Sequence, residues 1–293
     1  MTNIHFIVNP IAGTGKTKIT HLLLSTYFED FHYSIFVKET IYKAHAIHLT
    51  RESINEGANV IVACGGDGTI NEVASELVNS SIALGIIPVG SGNGLASNLK
   101  ISRNITKAIL AIKNNNSIKI DVGSVNNNYF FSNTGFGFDA SVIKNYEASE
   151  RRTLSCYIKA SLKSFREVHK QKNIEITIDD TTMIVNPFLI FISNSNVMGY
   201  TLSLTPRASL QDGLLDVIIV PRLPKWKILV FGALMLLKKP ELLTEVRSFQ
   251  TKEIKLFRIT GDYFQAQIDG ELLKVEESSV SIQINKASLK VLV

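Results

Sequence analysis

The strongest constraint on the fold is a regular alternation of short apolar runs with helical patterns between Ile4 and Asp121. The apolar runs read IHFIV, YSIFV, NVIVA and ALGIIP, and helical periodicity appears over 16–28, 43–56, 69–78 and 106–113. Short strands separated by helices indicate a parallel sheet covered by helices on both faces. We therefore predict an α/β domain in which ligands bind at the carboxyl ends of the strands.

The pattern changes near residue 125, where strand-rich segments with Asp-Gly and Asn-rich turns begin. Segments such as NIEITIDD, GLLDVIIV and YFQAQIDG are typical of a β-sandwich or a curved antiparallel sheet. We predict two domains, an α/β domain over 1–125 and a β-rich domain over 126–288. Two helical patterns interrupt the second domain, at 148–170 and at 225–244.

One segment of the second half, Arg222–Pro240, allows two interpretations. It combines a basic flank, Trp226, an uncharged apolar run and the pair Lys238-Lys239. A helix of this composition lies in a membrane interface with its Trp and Lys at the headgroups, or it packs as core between sheet and domain. We favour the core position.

Composition limits the kind of protein. The 293 residues carry a net charge of +5 with a pI near 9.0, which favours anionic partners such as nucleotides or acidic lipids. Only two cysteines occur, which argues against a disulfide framework and fits a reducing compartment. The longest apolar run, Ile228–Leu237, is far shorter than the roughly 20 residues that a membrane-spanning helix needs. We expect a cytoplasmic protein with peripheral membrane contact and no nucleic acid partner.

A glycine-rich loop follows the third apolar run. Gly65, Gly66, Asp67 and Gly68 stand between the strand and a helix that starts at Thr69. Such a helix start points N–H groups and the positive dipole end at the loop, and the missing side chains let amides reach phosphate oxygens. Asp67 then faces a magnesium ion, its waters or the attacking hydroxyl. The alternative is a tight turn in which Asp67 caps the helix.

Two further glycine loops follow other strands of the same predicted sheet. The loop PVGSGNG places Gly90, Gly92 and Gly94 on alternate positions, and it converges with the first loop on one crevice. Upstream, NPIAGTGKT resembles a Walker loop but has Pro10 where that motif needs its first glycine. It still places Lys16 at a helix start, which suits a phosphate contact or a plain glycine turn equally well.

Two Asp-Gly turns in the second half carry the remaining candidates. Asp269-Gly270 is a strong hairpin signal, and Glu271 directly after it is a candidate general base. The other turn contains Asp212 and reads as a plain turn or, together with its loop carbonyls, as a ligand set for a hard cation.

The chain resembles the diacylglycerol kinase catalytic-domain superfamily in four motifs taken together: GGDGTINEV, PVGSGNGLA, NPIAGTGK and DGE. Their order and spacing are similar to those of soluble bacterial lipid kinases over nearly the whole chain. The resemblance implies an N-terminal domain, similar to that of phosphofructokinase and NAD kinase, that binds ATP, and a β-sandwich domain that binds the lipid. It also implies that the last strand, 289–293, returns to the first domain, and that the cofactors are ATP and Mg²⁺.

The resemblance implies roles for particular residues. Asp67 is expected at the magnesium and phosphoryl centre, with Asp121 organising that network, and Glu271 is expected to deprotonate the lipid hydroxyl. The expected metal ligands, including those of a structural Mg²⁺ bound partly through main-chain oxygens, are Ser209, Asp212, Leu214 and Asp121. The residues expected to contact the nucleotide are Asn9, Pro10, Ile11, Ala12, Gly13, Thr40, Gly66, Asp67, Gly68, Thr69, Ile70, Asn71, Glu72 and Ser91.

The second loop departs from the pattern of bacterial diacylglycerol kinases. It reads Asn93-Gly94-Leu95-Ala96, which lacks an acidic residue and is closer to sphingosine and ceramide kinases. We therefore expect a lipid kinase for a diacylglycerol-like or sphingoid substrate. A soluble-substrate kinase of the NAD kinase type and a non-enzymatic nucleotide- or lipid-binding protein remain as alternatives, and a homodimer remains open.

Overall fold

The computed structural model describes residues 1–13, 19–28, 32–90, 92–148, 156, 159–161, 163–164, 173–196, 203–259 and 263–293. The chain divides into two compact units. Unit 1 consists of Met1–Asp121 and Lys286–Val293, and unit 2 consists of Val122–Asn285. Each unit has its own hydrophobic core and is described by itself.

Unit 1 is built on a parallel sheet. Its first four strands are β1 (Thr2–Val8), β2 (Tyr33–Glu39), β3 (Val60–Gly65) and β4 (Ala83–Pro88). They lie in the order β2-β1-β3-β4, and all of these neighbours are parallel. β3 and β4 are buried along their whole length, as expected for strands covered on both faces. The predicted α/β character of this half is confirmed.

Five helices accompany this sheet among the described residues of unit 1: α1 (His21–Ser25), α2 (His45–Asn55), α3 (Asp67–Leu77), α4 (Gly94–Asn98) and α5 (Ile105–Asn114). The helix predicted from Lys16 begins at His21, because the Thr20 side chain accepts a hydrogen bond from the Leu23 N–H and caps the helix there. Lys16 itself lies outside the described residues. α5 shows the expected amphipathic pattern and buries Ala108, Ile109 and Ile112.

The last strand of the chain, β16 (Ser279–Leu292), contributes residues to both units. In unit 1 its Val291 pairs in parallel with Leu84 of β4. The Val293 N–H donates to the carbonyl oxygen of Asn116, and the Asn79 N–H donates to that of Ser288. Residues 286–293 therefore complete the sheet that the first 121 residues begin.

Unit 2 contains two antiparallel sheets. Its remaining strands are β6 (Asn128–Phe130), β7 (Asn133–Gly137), β8 (Ile174–Ile178), β9 (Thr181–Val185), β10 (Pro187–Ser193), β11 (Leu215–Pro221), β12 (Arg247–Thr251), β13 (Glu253–Arg258), β14 (Phe264–Ile268) and β15 (Glu271–Val275), and β5 (Ser117–Val125) enters it from unit 1. One sheet has the order β12-β11-β10-β7-β14-β15, and in the other β16, β13, β8 and β9 are successive neighbours.

One apolar cluster of unit 2 receives buried side chains from strands of both sheets. Phe136 and Ile190 come from the six-stranded sheet, and Ile176, Leu256 and Ile282 come from the other. Side chains that alternate inward from two antiparallel sheets and meet in one core define a β-sandwich. The prediction of a β-sandwich for the second half is confirmed.

Two helices of unit 2 are bounded by the structure, α6 (Phe138–Glu147) and α7 (Lys225–Leu236), and a short 3-10 helix follows at Pro240–Leu242. Of the helix predicted over 148–170, only a few residues are described: Ala148 is the C-cap of α6, and 156, 159–161 and 163–164 are helical. Within the described residues, none of the helices combines the length and the apolar character needed to cross a bilayer.

The interpretation of the segment 222–240 as core is wrong for half of its surface. One face of α7 packs through Phe231 against Phe188 and Phe191 of the unit 2 scaffold. The opposite face leaves Trp226 and Leu229 exposed. Sequence alone could not separate the two positions, since both faces of this helix are apolar.

Gly123 provides a test of the β5–β6 hairpin. It pairs with Phe130 across the hairpin, and a Cβ at position 123 would lie 2.1 Å from the fully buried Phe130 ring. We expect Gly123→Ala to lower the free energy of unfolding by about 1–3 kcal/mol in urea titrations, because the ring must move. The matched control is Gly232→Ala in α7, where a Cβ meets nothing within 4 Å and helix propensity improves. Equal effects of the two substitutions would contradict the packing argument.

Candidate active site

Three loops of unit 1 meet at the carboxyl edge of its sheet, because each follows one of the neighbouring strands β1, β3 and β4. The Asn9 N–H donates to the carbonyl oxygen of Cys64 at 2.9 Å, and the Val89 N–H donates to that of Gly65 at 3.0 Å. The Asn9 side chain also donates from Nδ2 to Oγ1 of Thr69 at 3.2 Å. The predicted convergence of the glycine loops is therefore observed.

The glycines of these loops are required by contacts between the loops themselves. A Cβ on Gly13 would lie 2.2 Å from the carbonyl oxygen of Val89, and Gly13 has a positive φ of 66°. A Cβ on Gly90 would lie 2.5 Å from the Cα of Gly66. Side chains are thus absent because backbone meets backbone, which explains the glycine pattern before any ligand is considered.

The Asp67 carboxylate joins the first glycine loop to the second. Its Oδ2 accepts the N–H of Asn93 at 2.8 Å, and its Oδ1 accepts the N–H of Gly94 at 2.5 Å. A Cβ on Gly92 would lie 2.5 Å from the same carboxylate. The alternative that Asp67 caps its own helix is wrong, because the N-cap of α3 is Gly66 and both oxygens of Asp67 accept N–H groups of the next loop.

Asn93 holds the backbone of the second glycine loop in place, one residue before Gly94, the position at which that loop lacks the acidic residue of bacterial diacylglycerol kinases. Its side chain is almost fully buried, and its backbone has a positive φ of 57°. Oδ1 of Asn93 accepts the N–H of Gly90 at 3.1 Å, while Nδ2 donates to the carbonyl oxygen of Gly90 at 2.6 Å. Asn is one of the few residues other than glycine that adopt this backbone conformation readily.

The other predicted nucleotide residues occupy different surroundings. Ile70 is fully buried, and its N–H donates to the carbonyl oxygen of Gly66 inside the helix. The Glu72 carboxylate accepts the N–H groups of Ala44 and Ala46 at 3.0 and 3.2 Å, which fixes the start of α2. Thr40 is largely buried, and Ile11 is exposed. Ser91 lies outside the described residues.

In unit 2, Asp269-Gly270 forms the predicted two-residue hairpin between β14 and β15. Both residues have positive φ, 48° and 85°, as a type I′ turn requires. Ile268 and Glu271 form the first cross-strand pair beyond the turn. Glu271 is exposed at the start of β15.

The Asp269 carboxylate anchors this hairpin to the segment 131–133. It accepts the N–H groups of Phe131, Ser132 and Asn133 at 2.8, 2.8 and 3.0 Å. The Asp269 N–H in turn donates to the carbonyl oxygen of Asn133 at 2.9 Å. Three charge-assisted bonds to one carboxylate fix the turn far more firmly than a hairpin alone would.

Gln267 extends the anchoring from the turn to α6. Its Nε2 donates to Oδ1 of Asn133 at 2.8 Å and to Oδ2 of Asp139 at 2.7 Å, and its Oε1 accepts the N–H of Gly270 at 2.8 Å. Gln267, Asn133 and Asp139 are all buried. A continuous set of hydrogen bonds thus reaches from α6 to the residue that precedes Glu271.

Burial raises the pKa of the Asp139 carboxyl to about 6, and the hydrogen bond from Gln267 acts in the opposite direction. A Cβ on Gly135 would lie 2.2 Å from Oδ2 of Asp139, so the carboxyl packs directly on the β7 backbone. Sequence reasoning missed Asn133, Asp139 and Gln267. The available signal was the stretch NTGFGFDA, in which glycines alternate ahead of a helix much as they do in the second loop of unit 1.

Of the predicted metal ligands, Ser209, Asp212 and Leu214 lie outside regular secondary structure, whereas Asp121 lies in β5. Oδ1 of Asp212 accepts the N–H of Leu214 at 3.0 Å, and the Ser209 hydroxyl accepts the N–H of Gln211 at 3.3 Å. Asp121 is buried, and its Oδ1 accepts the N–H of Ala287 at 2.6 Å. In the part of the chain that the structure describes, no three His, Cys, Asp or Glu side chains are grouped as metal ligands.

Comparison with protein families matches both halves of the chain. The diacylglycerol kinase catalytic domain matches residues 3–125, and the YegS C-terminal NAD kinase beta sandwich-like domain matches residues 132–293. A diacylglycerol kinase of Bacillus subtilis is 27% identical over 92% of this chain and 90% of its own length. Diacylglycerol kinases from several strains of Staphylococcus aureus are also 27% identical, over 90% of this chain and 84% of theirs.

Solved structures show the same fold. A putative diacylglycerol kinase from Bacillus anthracis superposes with a TM-score of 0.78 at 22% identity, covering 99% of this chain and 94% of that one. Another structure from the same organism gives a TM-score of 0.77 at 23% identity, covering 99% of this chain and 96% of that one. The likeness spans unit 1 and unit 2 alike.

Asp139→Asn tests the buried cluster by the pH dependence of stability. Asp139 has its folded pKa raised to about 6 from an ordinary value of 3.8. As pH rises through this window the unfolded chain releases its proton first, so the wild type loses stability, on the order of 3 kcal/mol by pH 7. The amide does not titrate, and the variant should keep that stability. Urea unfolding between pH 4 and pH 7 measures the difference.

The control for this prediction is Asp180→Asn, which removes an exposed carboxyl from the turn between β8 and β9. The control should follow the pH profile of the wild type. If the wild type and Asp139→Asn lost stability in parallel as pH rose, Asp139 would not titrate in this window and the argument from burial would fail.

Proposed function

We infer the function from one premise: the chain belongs to the diacylglycerol kinase catalytic-domain family, in the group that carries the YegS-type C-terminal domain, and is an ATP-dependent lipid kinase. We propose that it transfers the γ-phosphoryl group of ATP to a hydroxyl of a diacylglycerol-like or sphingoid lipid. The observation that carries the proposal is that the two matched regions contain both the converging glycine loops and the Asp-Gly-Glu turn. The names of the Bacillus subtilis and Staphylococcus aureus relatives favour diacylglycerol as the acceptor.

The loops of unit 1 fit a triphosphate. The start of α3 has no side-chain cap in the described structure, and its first-turn N–H groups together with the positive end of the helix dipole suit an anion. Closely packed glycine backbone also keeps side chains out of the space above the strand ends. The proposed nucleotide contacts are Asn9–Gly13, Thr40, Gly66–Glu72 and Ser91.

ATP supplies the phosphoryl group, and the protein has mainly to position and to neutralise charge, because phosphoryl transfer needs little covalent help. Asp67 holds the second glycine loop against the first through the N–H groups of Asn93 and Gly94. Glu271 takes the proton from the lipid hydroxyl as the new bond forms. Asp269 and Gln267 set the backbone position of Glu271 through the hydrogen bonds to 131–133 and to α6.

Magnesium belongs to this proposal as the ion that neutralises the phosphate charge. Each oxygen of the Asp67 carboxylate accepts a backbone N–H, and a carboxylate oxygen has capacity for a further partner such as a hydrated cation. In this proposal Asp121 helps to organise the magnesium and phosphoryl centre around Asp67. A second, structural Mg²⁺ is proposed at Asp212 with main-chain oxygens of Ser209 and Leu214, since the Leu214 N–H donates to Oδ1 of Asp212 and turns the loop there, and hard cations bind carboxylate and carbonyl oxygens.

Glu271→Gln and Asp67→Ala separate chemistry from nucleotide binding. Glu271→Gln should lower kcat by at least about 100-fold with ATP affinity unchanged, because only the proton acceptor is lost. Asp67→Ala should weaken ATP binding as well, because it releases the N–H groups of Asn93 and Gly94. Labelled ATP with a total lipid extract measures transfer, and isothermal titration measures binding.

Glu277→Gln, an exposed carboxylate in the same unit, is the matched control and should retain full activity. A folded Glu271→Gln protein that phosphorylates lipid normally would refute the role of Glu271. Labelled NADP formed from NAD, with no labelled lipid, would instead support the soluble-substrate alternative. ATP binding without transfer to lipid or to NAD would support a non-enzymatic protein.

Asp212→Ala tests the structural cation. Saturating MgCl₂ should raise the Tm of the wild type by about 2–4 °C over the value in EDTA, because a cation that binds only the folded state stabilises it. Asp212→Ala should abolish the rise, and Asp180→Ala, which removes an exposed carboxylate far along the chain, should preserve it. A rise of the same size in Asp212→Ala would remove Asp212 from the site.

A further inference from the structure

We propose that the exposed face of α7 docks the protein on the surface of an anionic phospholipid bilayer. This surface, called here the α7 stripe, consists of Trp226, Leu229, Val230, Ala233, Leu236 and Leu237. The inference deepens the proposed function, because a kinase for a membrane lipid must reach its substrate in a bilayer. It stands on features of unit 2 alone.

The α7 stripe is one continuous helical face. Its members are spaced three and four residues apart, which places them on the same side of the helix. Trp226 is 62% exposed, Leu229 is 77% exposed and Leu236 is 68% exposed. Large apolar side chains rarely cluster in this way on a soluble surface unless a partner covers them.

The face of α7 opposite the α7 stripe packs against unit 2, so the stripe faces outward. Phe231, with Ile228, Leu234 and Met235, packs on the apolar cluster of β10 and β11. The Lys227 ammonium forms an ion pair with Glu245 and lies 5.3 Å from the centre of the Trp226 ring. The buried face therefore fixes the orientation in which the stripe is presented outward.

The charges around the stripe fit an anionic bilayer. The run Ile228–Leu237 contains no charged residue, whereas Lys225 stands at one end of the helix and Lys238 and Lys239 stand at the other, and all three are exposed. A helix of 12 residues is about 18 Å long, so it can lie in the headgroup plane with its apolar face down and lysines at both ends. Trp at the interface and Lys among the headgroups are the arrangement that such surfaces prefer.

The same charges argue against a second copy of the chain as the occupant. Two α7 helices packed stripe to stripe in antiparallel fashion would bring Lys225 of each against Lys238 and Lys239 of the other. A parallel arrangement would bring identical lysines together. Like charges at both ends of a desolvated contact oppose either dimer, whereas anionic lipid neutralises them.

Trp226 gives a direct readout, because it is the only tryptophan of the chain. Titration of the full chain with vesicles of phosphatidylglycerol and phosphatidylcholine, in the absence of ATP, should shift Trp226 emission to shorter wavelength. Phosphatidylcholine brominated on its acyl chains should quench that emission when it is mixed into the vesicles. Vesicles of phosphatidylcholine alone should bind at least tenfold more weakly, and added salt should reduce binding to the anionic vesicles.

Substitutions on the stripe test its role. Leu229→Glu with Leu236→Glu should lower vesicle affinity at least tenfold in co-sedimentation, and both positions are exposed, so folding should be unaffected. Lys238→Glu with Lys239→Glu should remove the preference for anionic lipid. The matched control is Ile184→Glu with Phe257→Glu, which places the same two charges on exposed apolar sites of β9 and β13 in the same unit and should bind vesicles like the wild type.

Three outcomes would overturn the proposal. The first is sedimentation with vesicles without a change in Trp226 emission, which would assign docking to another surface. The second is a dimer in light scattering that becomes a monomer in the Leu229→Glu, Leu236→Glu protein, which would assign the stripe to self-association. The third is unchanged vesicle binding by that double variant.

The outcome for the lipid kinase is read separately. The double variant should phosphorylate a water-soluble short-chain diacylglycerol at the wild-type rate and lose activity only on vesicles. Insertion of Trp226 with no transfer to any lipid would leave the docking surface standing and would remove the proposed function. Transfer to short-chain lipid without insertion of Trp226 into vesicles would support the proposed function and would refute the docking surface.

Discussion

The interaction on which both units depend is an aspartate carboxylate that accepts backbone N–H groups from a separate loop. Asp67 does this for Asn93 and Gly94 in unit 1, and Asp269 does it for residues 131–133 in unit 2. Such bonds are strong because the acceptor is charged, and they orient loops that have few side chains of their own. The candidate active site is thus held by side chain to backbone bonds, and the glycines permit the close approach that those bonds require.

The sequence predicted the architecture well because hydrophobic periodicity reports directly on which side of an element is buried. The parallel strands of unit 1 and the antiparallel strands of unit 2 both appear where the patterns indicated them. The Asp269-Gly270 hairpin was equally predictable, since both of its residues need a positive φ that this dipeptide tolerates. Glycine loops after neighbouring strands were predictable as a group for the same reason of local geometry.

The pairings across long stretches of sequence were not predictable. Nothing in the local pattern around Gln267 identifies Asp139 as its partner, because the two residues are brought together only by the sheet and α6. The sequence predicted that Asp67 faces a magnesium ion, its waters or the attacking hydroxyl, whereas the structure shows its carboxylate accepting N–H groups of the next loop. The buried face of α7 was not predictable for another reason. A helix that is apolar on every side has no periodicity that indicates which face is buried.

The strand β16 has a consequence for the order in which the protein is made. The first 121 residues leave the ribosome early, yet the edge of β4 receives its neighbour only when residues 286–293 arrive. Until then Leu84 and the adjoining backbone groups face either water or a chaperone. The pair formed by Leu84 and Val291 is separated by more than half the length of the polypeptide. Pairings of such high contact order form slowly. The sheet of unit 1 is therefore incomplete throughout the synthesis of unit 2.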